Sequence, residues 1–375
     1  MKTKLLKISL IFFLFCFLFP IIASAQTQNQ PIQDQTFKAR VAEIVEEKKT
    51  TRENGSVSVM QKLKLKGLDG KWKDQEIVFD GTKYDVVAAK TYKTGDKVIV
   101  SQNKNSTGED VFFVIDYVRQ GWVYWLAIIF AVVVIAIGRL KGVRALIVLA
   151  LTFFIILKFI IPRILAGSSP LLISMIGSLL ILILAVYITE GLKRKSALVV
   201  ISVFISLVII GLLSILFTFL TKLTGFASDE ALYLIGFASQ TVNMQGLLLA
   251  GIIIGALGVL DDVVITQISL VQELKITNPQ LSKKQLYTKA MKVGVSHMAS
   301  MVNTLFLAYA GASLPLLLLF SMSSSVGLSN ALNSEMITTE IVRTLIGSIG
   351  LVLSIPIATL LGVWFMQKNK QVKIN

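Results

Sequence analysis

The sequence is poor in the residues that catalytic and metal sites use most often. Its 375 residues include one cysteine, Cys16, and one histidine, His297. A single cysteine excludes an intramolecular disulfide and a thiolate metal cluster, and neither a Ser–His arrangement nor an HExxH motif is present. Charged residues make up only 16% of the chain, against about 25% in typical soluble domains. An ordinary soluble enzyme is therefore excluded.

Apolar residues are abundant instead, at 54% of the chain with a mean hydropathy of +0.73. A helix needs about 20 apolar residues to cross roughly 30 Å of hydrocarbon. Seven runs meet or approach that length, at residues 121–138, 144–161, 169–189, 197–221, 244–267, 299–320 and 341–365. They predict a polytopic α-helical membrane protein with about seven transmembrane helices, which occupy residues 119–375 and lie in a lipid bilayer.

The N-terminus has the pattern of a secretory signal. Lys2, Lys4 and Lys7 precede the apolar stretch Ile8–Ile22, and Ala23-Ser24-Ala25 follows it as an A-x-A cleavage site. We predict that residues 1–25 are a cleaved signal peptide, with an uncleaved anchor as the alternative. Cys16 lies inside this segment, so the mature protein would contain no cysteine.

The formal net charge of +15 comes mainly from loops between the apolar runs. Residues 26–118 are nearly neutral, with 15 Lys and Arg against 14 Asp and Glu, which argues against a nucleic-acid-binding face. With this domain outside the cell, the cytoplasmic loops and tail would hold fourteen Lys and Arg and the opposite side three. The positive-inside rule therefore predicts an external N-terminal domain and a cytoplasmic C-terminus.

Residues 26–118 are predicted to form an extracytoplasmic β domain. Short alternating runs are separated by the turn signals Asn54-Gly55, Asp69-Gly70, Asp80-Gly81 and Gly95-Asp96. Five short strands in this length favour a small β-barrel of the OB-like kind. The domain lacks histidine and cysteine, so we assign it no chemistry. Residues 36–118 are a candidate surface for a protein partner, a gate or a cover.

An acidic pair lies in the fifth apolar run. Leu247–Leu260 supplies 14 apolar residues, which span only about 21 Å, so Val263–Ile268 is needed to complete the crossing. Asp261 and Asp262 would then lie in the inner third of the membrane, where carboxylates cost several kcal/mol and usually have a function. The alternative is a helix that ends at Leu260 and leaves the pair among the headgroups.

Small residues accompany the pair at helical spacing. Gly251, Gly255 and Gly258 share one helix face with Asp262. Such a face lets another helix approach closely, and plain helix packing is the alternative to a functional role.

The sixth run offers a partner for the carboxylates. His297 is followed at helical spacing by Ser300 and Thr304, with Asn303 beside them. A contact between His297 and Asp262 could relay protons or hold a cation, whereas an interfacial histidine without a role is the alternative. Gln267, Asn303 and Thr304 complete the candidate path. Glu340 and Arg343, three residues apart, are interpreted as a local ion pair.

Two long stretches carry a resemblance to a known family. Gly255–Gln267 reads GALGVLDDVVITQ, and Val302–Pro315 reads VNTLFLAYAGASLP. Both resemble the YibE/F-like family of bacterial multi-spanning membrane proteins, over roughly residues 120–365. The resemblance implies a multi-pass protein of the bacterial cell membrane with an outer domain ahead of the helices. It implies no activity.

The leading hypothesis is a transporter or channel for an ion or small solute, without a cofactor, and the acidic pair favours cations or protons over anions. An intramembrane aspartyl protease needs two carboxylates that converge from different elements, whereas Asp261 and Asp262 are neighbours about 100° apart on one helix. That enzyme class is therefore disfavoured. The remaining alternative is a non-transporting assembly or sensing protein that acts through its outer domain.

Overall fold

The computed structural model describes residues 35–51, 57–83, 91–105, 108–228, 230–231, 233–234, 242–322 and 328–368. These residues fall into two compact units that divide between Val133 and Val134. The predicted signal peptide lies outside the described residues, so its cleavage stays a prediction.

The first unit contains an antiparallel five-stranded sheet. Its strands are β1 Gln35–Thr51, β2 Val57–Gly67, β3 Glu76–Asp80, β4 Lys97–Lys104 and β5 Asp110–Tyr117, in the spatial order β3-β2-β1-β4-β5. The long central strand β1 pairs with both β2 and β4. Its register with β2 shifts twice, between Val41 and Glu43 and between Ile44 and Glu46. Such irregularities bend and twist a strand, so β1 can curve around the core of the domain.

Alternate residues of the strands fill this core. Val41, Leu63, Leu65, Val98 and Val100 are buried, as the period of two in a strand requires. Five strands are therefore confirmed. Closure into a barrel is not, because the edge strands β3 and β5 approach each other without forming a hydrogen-bonded ladder among the described residues. The OB-like subclass stays a prediction.

The second unit consists of apolar helices, the first of which begins at Gln120 in the first unit and continues past the division at Val133. They are α1 Gln120–Ile155, continued by a π-helical turn Ile156–Ile160 and α2 Ile161–Leu165, then α3 Pro170–Glu190, α4 Arg194–Leu220, α5 Met244–Thr277, α6 Lys283–Ala312, α7 Leu314–Met322, α8 Leu328–Asn333 and α9 Glu335–Lys368. Five helices among the described residues are long and apolar enough to cross a membrane, and α6 with α7, bent by 65°, makes a sixth candidate. The membrane class is supported, whereas the number seven is not confirmed.

The first two predicted spans both lie within α1 and its extension, which together are 46 residues long. Arg139 interrupts α1 with non-helical dihedral angles, φ 50° and ψ −129°. A Cβ atom at Gly142 would collide with the backbone carbonyl of Val134, although eight residues of straight helix would separate these positions by about 12 Å. The chain therefore turns sharply at Arg139, and only glycine fits where the two segments meet.

Helices α3, α4, α5 and α9 pack around one shared core. Its fully buried members include Leu182, Leu207, Ile253 and Leu260. Helix α9 approaches α4 closely at Gly350, where an added Cβ would collide with the side chain of Ile210. Close backbone approach at small residues is the usual way in which membrane helices pack.

Helices α5 and α6 are longer than the predicted spans. The predicted loop 268–298 is mostly helical, because α5 runs to Thr277 and α6 begins at Lys283. Ser282 and Gln285 form a capping box at the start of α6, which satisfies two free N–H groups. Lys275 Nζ donates to the carbonyl oxygens of Pro279 at 2.7 Å and Leu281 at 3.1 Å. The connection is therefore a tight helical hairpin.

One end of the bundle is fastened by Glu335, and we call it the Glu335 end. The Glu335 carboxylate accepts hydrogen bonds from the Thr224 N–H and hydroxyl at 2.7 and 2.8 Å, and from the Gly225 N–H at 2.9 Å. Gly225 has a φ of +88°, and a Cβ there would collide with the Met244 backbone. The start of α9 therefore holds the turn that follows α4 against the start of α5.

We expect Glu335→Ala to lower the free energy of unfolding by about 1–3 kcal/mol, because three donors lose a charged acceptor. Thermal unfolding in detergent measures the change. Glu273→Ala is the matched control, since Glu273 is exposed and has no hydrogen bond among the described residues. Equal unfolding temperatures for the two variants would contradict the fastening role.

Candidate functional site

The acidic pair lies in the middle of an unbroken helix. Asp261 follows Met244 by 17 residues and precedes Thr277 by 16, which places it about 26 Å and 24 Å from the two ends of α5. The alternative of a helix that ends at Leu260 is therefore wrong. It fails because the apolar face of α5 continues past the pair at Val263, Val264 and Ile268, all fully buried.

The two carboxylates have different surroundings. Asp261 is half-buried and Asp262 is exposed, as expected for neighbours about 100° apart around a helix. An Asp261 carboxylate oxygen accepts a hydrogen bond from the Asp262 N–H at 3.0 Å. Asp262 has no side-chain hydrogen bond or ion pair among the described residues. The carboxylates therefore do not form a convergent dyad.

The glycine stripe lies on the exposed side of α5. Gly251, Gly255, Gly258 and Asp262 are all exposed. A Cβ at Gly251 or Gly258 would meet no atom within 4 Å, and one at Gly255 would meet only the Tyr309 hydroxyl at 3.0 Å. Within the described part of this chain, Gly251 and Gly258 are therefore not helix-packing positions, and they leave the face beside Asp262 open.

We expect Gly251→Ala and Gly258→Ala to leave the unfolding temperature unchanged or to raise it, because the new methyl groups meet open space and alanine favours helix by about 1 kcal/mol. Gly294→Ala is the contrasting variant. Its Cβ would lie 2.8 Å from Ile355 and 2.9 Å from the Gln267 amide, so it should lower that temperature. A large loss in Gly258→Ala would contradict the open face.

His297 and Asp262 make no polar contact with each other among the described residues. Helix α6 runs antiparallel to α5, since Gly294 lies beside Gln267 and Tyr309 beside Gly255. However, no hydrogen bond or ion pair joins His297 to Asp262 among the described residues. His297 is half-buried, whereas Asn303 and Thr304 are exposed. The Thr304 hydroxyl donates to the Ser300 carbonyl at 3.0 Å, so it is satisfied within its own helix.

Gln267 has a structural position. It is buried, and its Nε2 donates to the Ala290 carbonyl at 3.1 Å and to the Thr359 hydroxyl at 2.7 Å. These bonds join α5 to α6 and α9. The side chain therefore fixes a three-helix junction about one and a half turns away from the acidic pair, and it is separate from the exposed glycine face.

A cavity that sequence reasoning missed lies at the bend between α6 and α7. It has a volume of about 200 Å³, and its wall includes Tyr309, Ser313, Leu317 and Glu340. Glu340 forms the predicted ion pair with Arg343 at 3.1 Å. The local spacing revealed the pair, but the cavity depends on a helix bend that no periodic pattern in the sequence signals.

No metal centre is evident among the described residues, where no three His, Cys, Asp or Glu side chains converge. The arrangement instead offers isolated carboxylates on a membrane-length helix, an open glycine face and a mostly apolar cavity with Glu340 in its wall. These features can exchange protons or attract a cation, but they contain no nucleophile–base pair among the side chains described.

Comparisons with known proteins agree with this architecture. The model of the YibE/F-like protein family matches residues 126–368. No curated protein and no solved structure shows significant similarity. The match begins inside α1, ends at the last residue of α9 and includes more than half of the chain. The protein therefore belongs to the YibE/F-like family.

Proposed function

We propose that this protein is a membrane transporter or channel for a small cation, a proton or a small solute, with Asp261 and Asp262 in the pathway. The observation that carries the proposal is the position of both carboxylates at the centre of an unbroken α5. We infer that this part of α5 lies within the bilayer, where a carboxylate is costly unless it is protonated, paired or hydrated. A permeating proton or cation would meet that requirement transiently.

The open glycine face supports the same function. Gly258 precedes Asp262 by one turn, and nothing in the described chain covers it. The missing side chains leave room for a hydrated cation beside Asp262, and carboxylate oxygens are among the ligands that hard cations prefer. Asp262 would attract the cation, whereas the half-buried Asp261 would exchange protons.

The interrupted helices add a third argument. Helices α6 and α7 bend at Ser313 beside the cavity that contains Glu340, and transporters often bind solutes near broken helices. The turn at Arg139 divides α1 into two segments, which supports seven spans. We further propose the orientation from the positive-inside pattern, with the β domain and the Glu335 end outside the cell and Lys368 inside.

The test is flux in liposomes that contain the purified full-length protein. Dyes for internal pH, Na⁺ and K⁺ report the response to imposed gradients, and protein-free liposomes provide the baseline. We expect flux above that baseline and its loss in the Asp261→Asn/Asp262→Asn double variant. Glu273→Gln, an exposed carboxylate on the same helix, should keep the flux. Wild-type protein that matches the baseline under every gradient would overturn the proposal.

A second candidate function is assembly or sensing through the β domain. Val45, Val78 and Ile115 are at least half exposed on its surface, where they are open to a protein partner. Deletion of residues 36–118 should abolish the cellular phenotype under this alternative, while the Asp261→Asn/Asp262→Asn variant should change mainly stability. A pathway through the helices predicts instead that the Asp261→Asn/Asp262→Asn variant abolishes the phenotype and that the deletion matters less.

A further inference from the structure

Six buried hydroxyl groups in the helix bundle have no hydrogen-bond partner among the described residues. They belong to Ser174 and Ser178 on α3, Ser214 and Thr218 on α4, and Thr339 and Ser348 on α9. Their exposed fractions range from 0% to 6%. Ser202 and Ser206 on α4 are equally buried, but they donate to the carbonyl oxygens of Leu198 and Ser202 at 2.8 and 3.0 Å. Burial alone therefore does not explain why the six hydroxyl groups lack hydrogen-bond partners.

All six lie in the Glu335 half of the bundle. Pro170 at the start of α3 lies beside Gly246, and Gly211 of α4 lies between Met175 and Ile253. Counting residues from these contacts places Ser174 and Ser214 at the same level as Ala250 of α5. The contact of Gly350 with Ile210 places Ser348 within about two turns of that level. The hydroxyls thus share one stretch of the interior on three helices that surround α5.

The charged groups near the hydroxyls favour neutral water over a metal ion as their partner. The six hydroxyls offer no free carboxylate beside them, because the nearby Glu340 is already paired with Arg343. The Arg343 Nε is itself buried without a partner among the described residues. A metal ion would therefore lie beside a cation without a free counter-charge, which is unfavourable in a membrane interior. Neutral water can accept from and donate to hydroxyls, and a buried water usually makes about three hydrogen bonds.

We propose that the hydroxyls of α3, α4 and α9 bind a chain of ordered waters against α5. This inference rests on the proposed function and narrows its substrate to protons, because linked waters and hydroxyls pass protons, whereas the six hydroxyls have no free carboxylate beside them to balance the charge of a metal ion. Asp261 follows Ala250 by eleven residues, close to three full helical turns. It therefore lies on the same face of α5 as Ala250, the level at which we propose the waters, whereas Asp262 does not.

The test compares two double variants of the full-length protein. Ser174→Ala/Ser214→Ala removes two unpartnered hydroxyls, and Ser202→Ala/Ser206→Ala is the control that removes two partnered ones. The first readout is hydroxyl-radical oxidation of Met175 after brief X-ray exposure, since bound water is the local source of radicals. We expect several-fold slower oxidation of Met175 in the first variant only. Met291, also partly buried against the core, should be unaffected.

The second readout is thermal unfolding together with proton flux in liposomes. Hydrated hydroxyls predict that Ser174→Ala/Ser214→Ala lowers the unfolding temperature and slows proton flux. A dry interior predicts unchanged Met175 oxidation and a raised unfolding temperature, because unsatisfied groups have been removed. That result would overturn the proposal.

The proposed function and this inference can fail separately. Flux that is lost in Asp261→Asn but unchanged in Ser174→Ala/Ser214→Ala would overturn the water chain and leave transport standing. Slower Met175 oxidation in a protein that conducts no protons would support the water site and overturn transport of protons.

Discussion

Proton or cation flux is expected to fall by more than about tenfold in Asp261→Asn, which corresponds to about 1.4 kcal/mol in the barrier. Asparagine has the same shape as aspartate and keeps an oxygen that can accept the Asp262 N–H. It cannot bind or release a proton. The fold should therefore persist while the exchange step is lost. Flux assays with the single variant in liposomes measure the effect.

Asp262→Asn serves as the companion variant. Its side chain is exposed, so we expect it to weaken the attraction of cations and to alter the concentration dependence of flux more than the maximal rate. Asp262→Glu should restore the charge and most of the flux. Unfolding temperatures within the error of wild type would confirm that neither carboxylate is needed for folding. Equal flux in Asp261→Asn and wild type would exclude Asp261 from the pathway.

Gly350→Ala is expected to destabilise the bundle by about 1–3 kcal/mol, the usual cost of overpacking a close contact. The new Cβ would overlap Ile210 Cγ1 and Cδ1, whereas Ile210 Cβ lies 3.8 Å away. Ile210 is fully buried, so its side chain has little room to move. Gly347→Ala is the control on the same helix, because its Cβ would meet Leu305 at an ordinary 3.7 Å. Thermal unfolding of both variants measures the difference.

A second substitution isolates the contact. Ile210→Ala alone should cost about 2–5 kcal/mol through the cavity that it leaves. In Gly350→Ala/Ile210→Ala the new methyl group partly fills that cavity, so the double variant should be more stable than the sum of the single effects predicts. Strict additivity would show that α9 and α4 do not meet closely at this point.

The sequence was sufficient for features that depend on local periodicity. Alternation in Leu63–Leu65 and Val98–Val100 correctly predicted strands, and the long apolar runs correctly predicted membrane-length helices. The start of α6 was misplaced because its charged first turns are not apolar, although Ser282 and Gln285 carry a capping signal. The turn at Arg139 was visible only as a short charged loop, since the dihedral angles that create it depend on how Gly142 packs.

The candidate site was predicted in part. The continuation of α5 past Asp261 followed from counting apolar residues, and the separation of Asp261 from Asp262 around the helix followed from helix geometry, whereas the depth of the pair in the membrane stays a prediction. The expected polar contact between His297 and Asp262 is absent among the described residues, because the antiparallel direction of two helices does not determine their rotation. Gln267 was assigned to the path, but Ala290 and Thr359, distant in sequence, determine its position. The unpartnered hydroxyls of Ser174 and Ser214 could not be told from the satisfied hydroxyl of Ser206, which has the same residue type and burial.

Helix α5 also connects the acidic pair to the hairpin between α5 and α6, two places too far apart for one small ligand to contact both. It is one rod of 34 residues, and beyond the acidic pair it ends in the hairpin that Lys275 and the capping box hold rigid. A displacement of that hairpin cannot be absorbed at a hinge, because the rod has no break between Thr277 and Asp261. A partner that binds and moves the hairpin would therefore also move Asp261 and Asp262.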